Sequence, residues 1–145
     1  MKITVEEIDV SQEEEVIVRC HELNSQIRSF IEQLKLPQKE LIGYQNGEIH
    51  RLKITDIFYF EVVDNHSFIY CEKDVFESKM RLYEFEEICQ DTSFFRAGKS
   101  LVLNSDKIEY IEPSFSGRFE VTLMNKEKRI VSRQYVKELK KRLGV

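Results

Sequence analysis

A mostly β fold of the α+β class, with short helices, is predicted by three observations. Short β-branched and aromatic runs recur from residue 41 onward, polar or glycine-containing turns separate them, and helical spacing of apolar residues is confined to brief stretches. The chain has 145 residues, of which 41% are hydrophobic and 33% charged, so it can bury a core of about one domain.

Residues 1–39 read as a small ββα element of their own. Ile3, Val5 and Ile8 lie in a β-prone stretch, and Val16-Ile17-Val18 follows the acidic run Glu13-Glu14-Glu15, so two short strands are expected. Asn24-Ser25 are good N-cap residues, and Ile27, Phe30, Ile31 and Leu34 follow at i, i+3, i+4 and i+7. This places one apolar stripe on a helix that Pro37 ends. The stripe needs a cover, either its own chain or, as a dimer or regulatory contact, another one.

Residues 40–145 change texture. Leu41-Ile42-Gly43-Tyr44 and the stretch from Ile49 to Ile54 flank Asn46-Gly47, a dipeptide that accepts the positive φ values of a two-residue hairpin. Ile57 to Val63, Phe68 to Cys71 and Val75-Phe76 continue an antiparallel meander across the polar turn Asp64-Asn65-His66-Ser67. Leu82, Phe85 and Ile88 or Cys89 predict a helix of about two turns. Further strands are predicted over Leu101 to Leu103, Ile108 to Ile111, Phe119 to Leu123 and Arg129 to Val131, with breaks at Pro113 and Gly117. Val136, Leu139 and Leu143 predict a closing helix.

Several function classes are excluded. No GxSxG, glycine-rich phosphate loop or HExxH is present, and His21, His50 and His66 form no helical ligand pair, so neither an enzyme nor a metal site is indicated and no cofactor is expected. Cys20, Cys71 and Cys89 contain no CxxC pair and read as buried reduced thiols. No apolar run approaches the roughly 18 to 20 residues of a membrane span, and Met1 to Val10 lacks the basic and apolar regions of a secretion signal, so a cytoplasmic protein is expected. The stretch before Leu41 is too short for a doubly wound receiver domain.

The formal net charge of -4 conceals an uneven distribution. Residues 1–95 carry 10 basic and 20 acidic side chains, whereas residues 96–145 carry 12 basic and 6 acidic ones. An anionic partner would therefore meet the C-terminal third, unless the run is only a solvated face. Three polar stretches stand out on the β scaffold, where loops held by rigid strands tend to carry function. They are the turn with His66, the stretch Arg96-Ala97-Gly98-Lys99-Ser100, and Val131-Ser132-Arg133-Gln134. In the last, Ser132 is placed to cap the final helix, with Arg133 in its first turn.

These stretches carry a resemblance. Thr55-Asp56-Ile57-Phe58-Tyr59-Phe60-Glu61, then Phe94 to Asn104, Lys107-Ile108 and Ile130-Val131-Ser132-Arg133-Gln134-Tyr135, in that order and spacing, resemble the LytTR DNA-binding domain over about residues 40–145. The family's F-x-R-x-H-R-S-x-x-V-N stretch is matched at Phe94, Arg96, Ser100 and Asn104, and its V-S-R-x-Y at residues 131–135. The resemblance implies an elongated antiparallel β fold whose loops enter successive major grooves of double-stranded DNA at promoter repeats. It also implies a transcription regulator, acting as a homodimer. By motif position it implies base reading by His66, Lys99 and Arg133. Ser100, Arg96, Asn65 and Gln134, from the same stretches, complete the predicted DNA-binding set, Arg96 with the alternative of pairing with a carboxylate under the loop. Gly98 stands where the family usually has His, and Lys99 where it usually has Arg. The resemblance is to the short stand-alone form without a receiver, which implies restraint by a small membrane protein. The competing expectation is a protein-interaction module of a signalling system, without DNA binding.

Overall fold

The computed structural model describes residues 1–35 and 40–145. The chain divides into two compact units, Met1–Pro37 and Gln38–Val145.

In the first unit, helix α1 spans Ser25–Lys35. Asn24 caps it, its side-chain Oδ1 accepting from the Ile27 amide at 2.9 Å, as the sequence predicts. Along the stripe Ile27 and Ile31 are partly covered, whereas Phe30 and Leu34 are 51% and 50% exposed. The two strands expected before the helix are not formed. Ile3 and Val5 are each 87% exposed, and Val16 and Ile17 are also open. β propensity expresses packing on a pleated, half-buried surface, and among the described residues no strand pairs with these segments. The expected helix stop at Pro37 lies outside the described residues.

The second unit is built from antiparallel strands. β1 (Glu40–Gln45) and β2 (Glu48–Lys53) form the expected hairpin, with Asn46 and Gly47 at φ 50° and 79°. β3 (Ile57–Val63), β4 (His66–Cys71) and β5 (Val75–Ser78) continue the meander, and α2 (Leu82–Ile88) follows. Then come β6 (Phe94–Gly98), β7 (Leu101–Asn104), β8 (Ile108–Pro113), β9 (Phe119–Leu123), β10 (Lys128–Val131) and α3 (Val136–Leu143). Among the described residues the strands form one sheet of order β2-β1-β5-β4-β3-β7-β6 and a second of order β10-β9-β8.

Two cores explain why β3, β6 and β7 are nearly continuous apolar runs rather than alternating ones. On one face Phe95, Ala97, Leu101 and Leu103 pack with Val121, Leu123 and Val131 of the second sheet and Leu139 of α3. On the other, Ile57, Phe60, Phe94 and Val102 pack with Phe85 and Cys89, which close the α2 side. Strands covered on both faces need apolar residues at every position. Asn104, although polar and 2% exposed, is satisfied: its Nδ2 donates to the Ile57 carbonyl at 2.8 Å, and its Oδ1 accepts from Ser93 Oγ and the Asp106 amide. This matched motif position is therefore a structural pin between β3 and β7.

The cysteines differ from one another. Cys89 is buried, Cys71 is half-buried and Cys20 is exposed, so the expectation of three buried thiols holds at Cys89, only in part at Cys71, and is corrected at Cys20, which lies in the open stretch before α1. Burial, aided by Asp56 and Asp74, pushes the Cys71 thiol up to about 11 and keeps it protonated at neutral pH.

Candidate nucleic-acid interface

The β6–β7 hairpin presents Lys99 and Ser100 as a two-residue connection. The register shifts between Arg96 and Gly98, so the strand kinks as it enters the turn. Phe95 and Ala97 point into the first core, and Arg96, on the opposite face, reaches α2. Its guanidinium donates to Glu86 Oε1, to the Gly98 carbonyl and to the Lys99 carbonyl, each at 2.5 Å. The Val62 amide donates to the Ser100 carbonyl at 2.9 Å and fixes the same turn from β3. The Lys99 side chain is thus exposed above a backbone held from below. Arg96 follows the alternative anticipated for it, a carboxylate pair under the loop.

At the neighbouring β3–β4 connection the turn is only two residues, Asp64 and Asn65, with φ 51° and 63°. His66 is paired with Val63 and opens β4, and Ser67 is buried in that strand, so the four-residue turn expected from polarity is corrected to two. Polarity marked the tip but not the strand pairing that starts within it. The His66 ring stays 65% exposed, its Nδ1 3.3 Å from Glu77 Oε1 on β5.

The third loop joins β10 to α3. The Ser132 amide donates to the Ala97 carbonyl at 2.8 Å, which ties this loop to β6. A 3₁₀ turn, Arg133–Tyr135, intervenes before α3, and Ser132 makes no side-chain cap. Ser132 therefore acts through its backbone, and Arg133 precedes the last helix rather than sitting in its first turn. The Arg133 stem lies against Gly117, where a Cβ would stand 3.0 Å from Arg133 Cδ and 3.2 Å from Cγ. Gly117 also has φ +75°, so both the close approach and the backbone favour glycine. Gly117→Ala should lower stability by about 1 kcal/mol. It should also displace Arg133, detectable as a fall in thermal midpoint together with weakened duplex binding.

A groove of about 570 Å³ is lined by Lys99, Ser116, Arg118, Ser132, Arg133 and Gln134, with no carboxylate. A second, of about 690 Å³, is lined by Asn65, Arg81, Arg96 and Ser100 among others. The Lys99-Ser100 turn borders both. Arg118, Ser116 and Arg81 are contributors that motif reasoning missed; Arg118 was visible only as one of the basic residues of the C-terminal third.

Much of the C-terminal basic excess is locally neutralised. Lys126 pairs with Glu109, Lys128 with Glu120, Arg142 with Glu138 and Arg129 with Glu61. Lys99, Arg118 and Arg133 form no ion pair among the described residues. Arg129 also lies over the Tyr59 ring, 4.9 Å from its centroid, while the Tyr59 hydroxyl donates to Glu127 Oε2 at 2.8 Å. Burial, and then that carboxylate, raise the Tyr59 pKa far above the ordinary phenol value, so it remains a donor and fastens β9–β10 to β3. Unpaired cations converging on a groove without carboxylates suit phosphate and base-edge acceptors. Among the described residues no group of three or more His, Cys, Asp or Glu could hold a metal ion. Nor is any described helix long and apolar enough to cross a membrane.

The family model of the LytTr DNA-binding domain matches residues 47–144. The chain is 33% identical over 112 residues to the sensory transduction protein LytT of Enterococcus faecalis, covering 77% of this chain but 46% of that protein, so it spans about half of that relative's length. It is 28% identical over 130 residues to an uncharacterized HTH-type transcriptional regulator of Staphylococcus aureus, covering 88% of each. Among solved structures, the LytTr DNA-binding domain of a methyl-accepting/DNA response regulator from Bacillus cereus superposes with a TM-score of 0.69. That match has 24% identity and covers 75% of this chain and 100% of the other, a likeness of fold.

Proposed function

The chain belongs to the LytTR DNA-binding domain family, and on that premise we propose that it is a sequence-specific transcriptional regulator of the cytoplasm whose three loops read successive major grooves of duplex DNA. The observation that carries this reading is the carboxylate-free groove where Lys99, Arg118 and Arg133 converge without ion-pair partners. Arg133 has the planar fork for a guanine edge, Gln134 follows it, and His66 and Asn65 stand on the β3–β4 hairpin. Lys99 lacks the fork and acts as a phosphate-directed point charge, with Ser100 beside it. Arg96 positions the turn rather than touching DNA. A Cβ on Gly98 would meet Leu101 Cβ and Ser132 Oγ at an ordinary 3.6 Å, so packing does not demand glycine where the family usually has His. The interaction-module reading gives no reason for three unpaired cations in one groove.

The half-exposed Phe30 and Leu34 support a homodimer contact on α1, holding two copies on paired sites. A small restraining membrane protein, implied by the family resemblance, would compete for that face. Phe30→Asp combined with Leu34→Asp should yield a monomer in sedimentation equilibrium that still binds a single half-site. The function itself is tested by selection from random duplexes. Enrichment of one sequence motif is expected, and selection that enriches none overturns the reading.

A further inference from the structure

Phe115 is 88% exposed at the β8–β9 connection, an unusual position for the side chain of a large aromatic residue. The loop that carries it is not loose. The Ser114 amide donates to the Arg118 carbonyl at 2.8 Å, and the Arg118 amide donates to the Phe115 carbonyl at 3.2 Å. Ser116 and Gly117 take φ values of 58° and 75°, which turn the chain sharply just after Phe115. The same loop packs through Gly117 on the Arg133 stem, and its next residues, Ser116 and Arg118, line the basic groove. An ordered loop thus carries an exposed apolar ring one residue before Ser116, at the edge of a groove whose three cations no carboxylate neutralises.

We propose that Phe115 is a DNA-contacting residue, packing its ring on an apolar part of the duplex, a thymine methyl or a deoxyribose, flanking the base pair met by Arg133. The inference rests on the DNA-binding reading above. Charge complementarity selects the partner: an anionic duplex seated over Lys99, Arg118 and Arg133 brings its sugar edges and thymine methyls to the loop that buttresses Arg133. Apolar side chains next to phosphate-binding cations are an established way for proteins to meet nucleic acid. A protein partner is disfavoured by the same three cations, whose desolvation an apolar protein face would not offset.

The test uses the full chain and the duplex obtained by selection. Phe115→Ser should lower affinity about tenfold through lost apolar burial, while Phe115→Leu retains most of it. The salt dependence should match the parent's because no charge changes. Thermal unfolding of Phe115→Ser should also match the parent, since the ring is exposed. Replacing thymines by uracil near the Arg133 position separates the two sources. If one replacement weakens the parent but adds nothing in Phe115→Ser, the contact is a thymine methyl; if no replacement matters while Phe115→Ser is still weak, it is a deoxyribose. A Phe115→Ser protein that binds the duplex like the parent overturns the inference and leaves the DNA-binding reading intact. Altered self-association with unchanged binding per protomer overturns it in favour of a second copy. A parent that binds no duplex overturns both.

Discussion

Arg133→Ala is expected to weaken binding to the selected duplex by about 1–3 kcal/mol and to relax preference at one base position, the signature of a lost bidentate guanine contact. The residue is exposed and its stem lies against Gly117, so the substitution removes a contact without opening a core. Lys99→Ala should behave differently. Its ammonium projects from a turn whose backbone is fixed by Arg96 and Val62, and its loss should weaken all duplexes by a similar factor. Titration of both variants against cognate and scrambled duplexes separates the two roles. Equal losses for Arg133→Ala on the two duplexes would assign it to phosphate instead.

Phe85→Ala is expected to cost about 3–5 kcal/mol of stability, a large share of the roughly 5–15 kcal/mol that holds a domain of this kind together. Phe85 is fully buried, stacks on Phe60 with ring centroids 4.4 Å apart, and meets Phe94 edge-on at 5.3 Å. The cavity left would lie between α2 and the large sheet, where rigid strands limit collapse. Because Glu86 is the next residue on α2 and anchors Arg96, the variant should also bind DNA more weakly under conditions where it remains folded. Urea denaturation followed by circular dichroism reads the first effect, and duplex titration at low temperature reads the second.

What could be read from residues alone was what local chemistry decides. The Asn46-Gly47 hairpin is legible because positive φ at both positions is a property of the dipeptide, and α1 and α3 are legible because their apolar residues keep helical spacing. The failures share a cause in tertiary pairing. Residues 1–24 contain β-prone runs but no ladder to complete them. Val131-Ser132-Arg133 reads as a helix start, yet the Ser132 amide is drawn to β6, and a 3₁₀ turn forms first. The dual possibility for Arg96 could be resolved only by knowing that α2 places Glu86 beneath the turn. Arg118 lies far from Arg133 along the chain, and only the β8–β9 connection, folding back on the loop after β10, brings it to the same groove.

On the proposed reading Lys99 and Arg118 track phosphate in the groove from which Arg133 reads a base, and the salt dependence of binding to the selected duplex tests this most directly. Measured from low to physiological salt, log affinity should fall linearly with log salt with a slope of several counterions. Replacing Lys99 or Arg118 by Ala should reduce that slope by about one each. A slope near zero, or one unchanged when both cations are removed, would contradict the account.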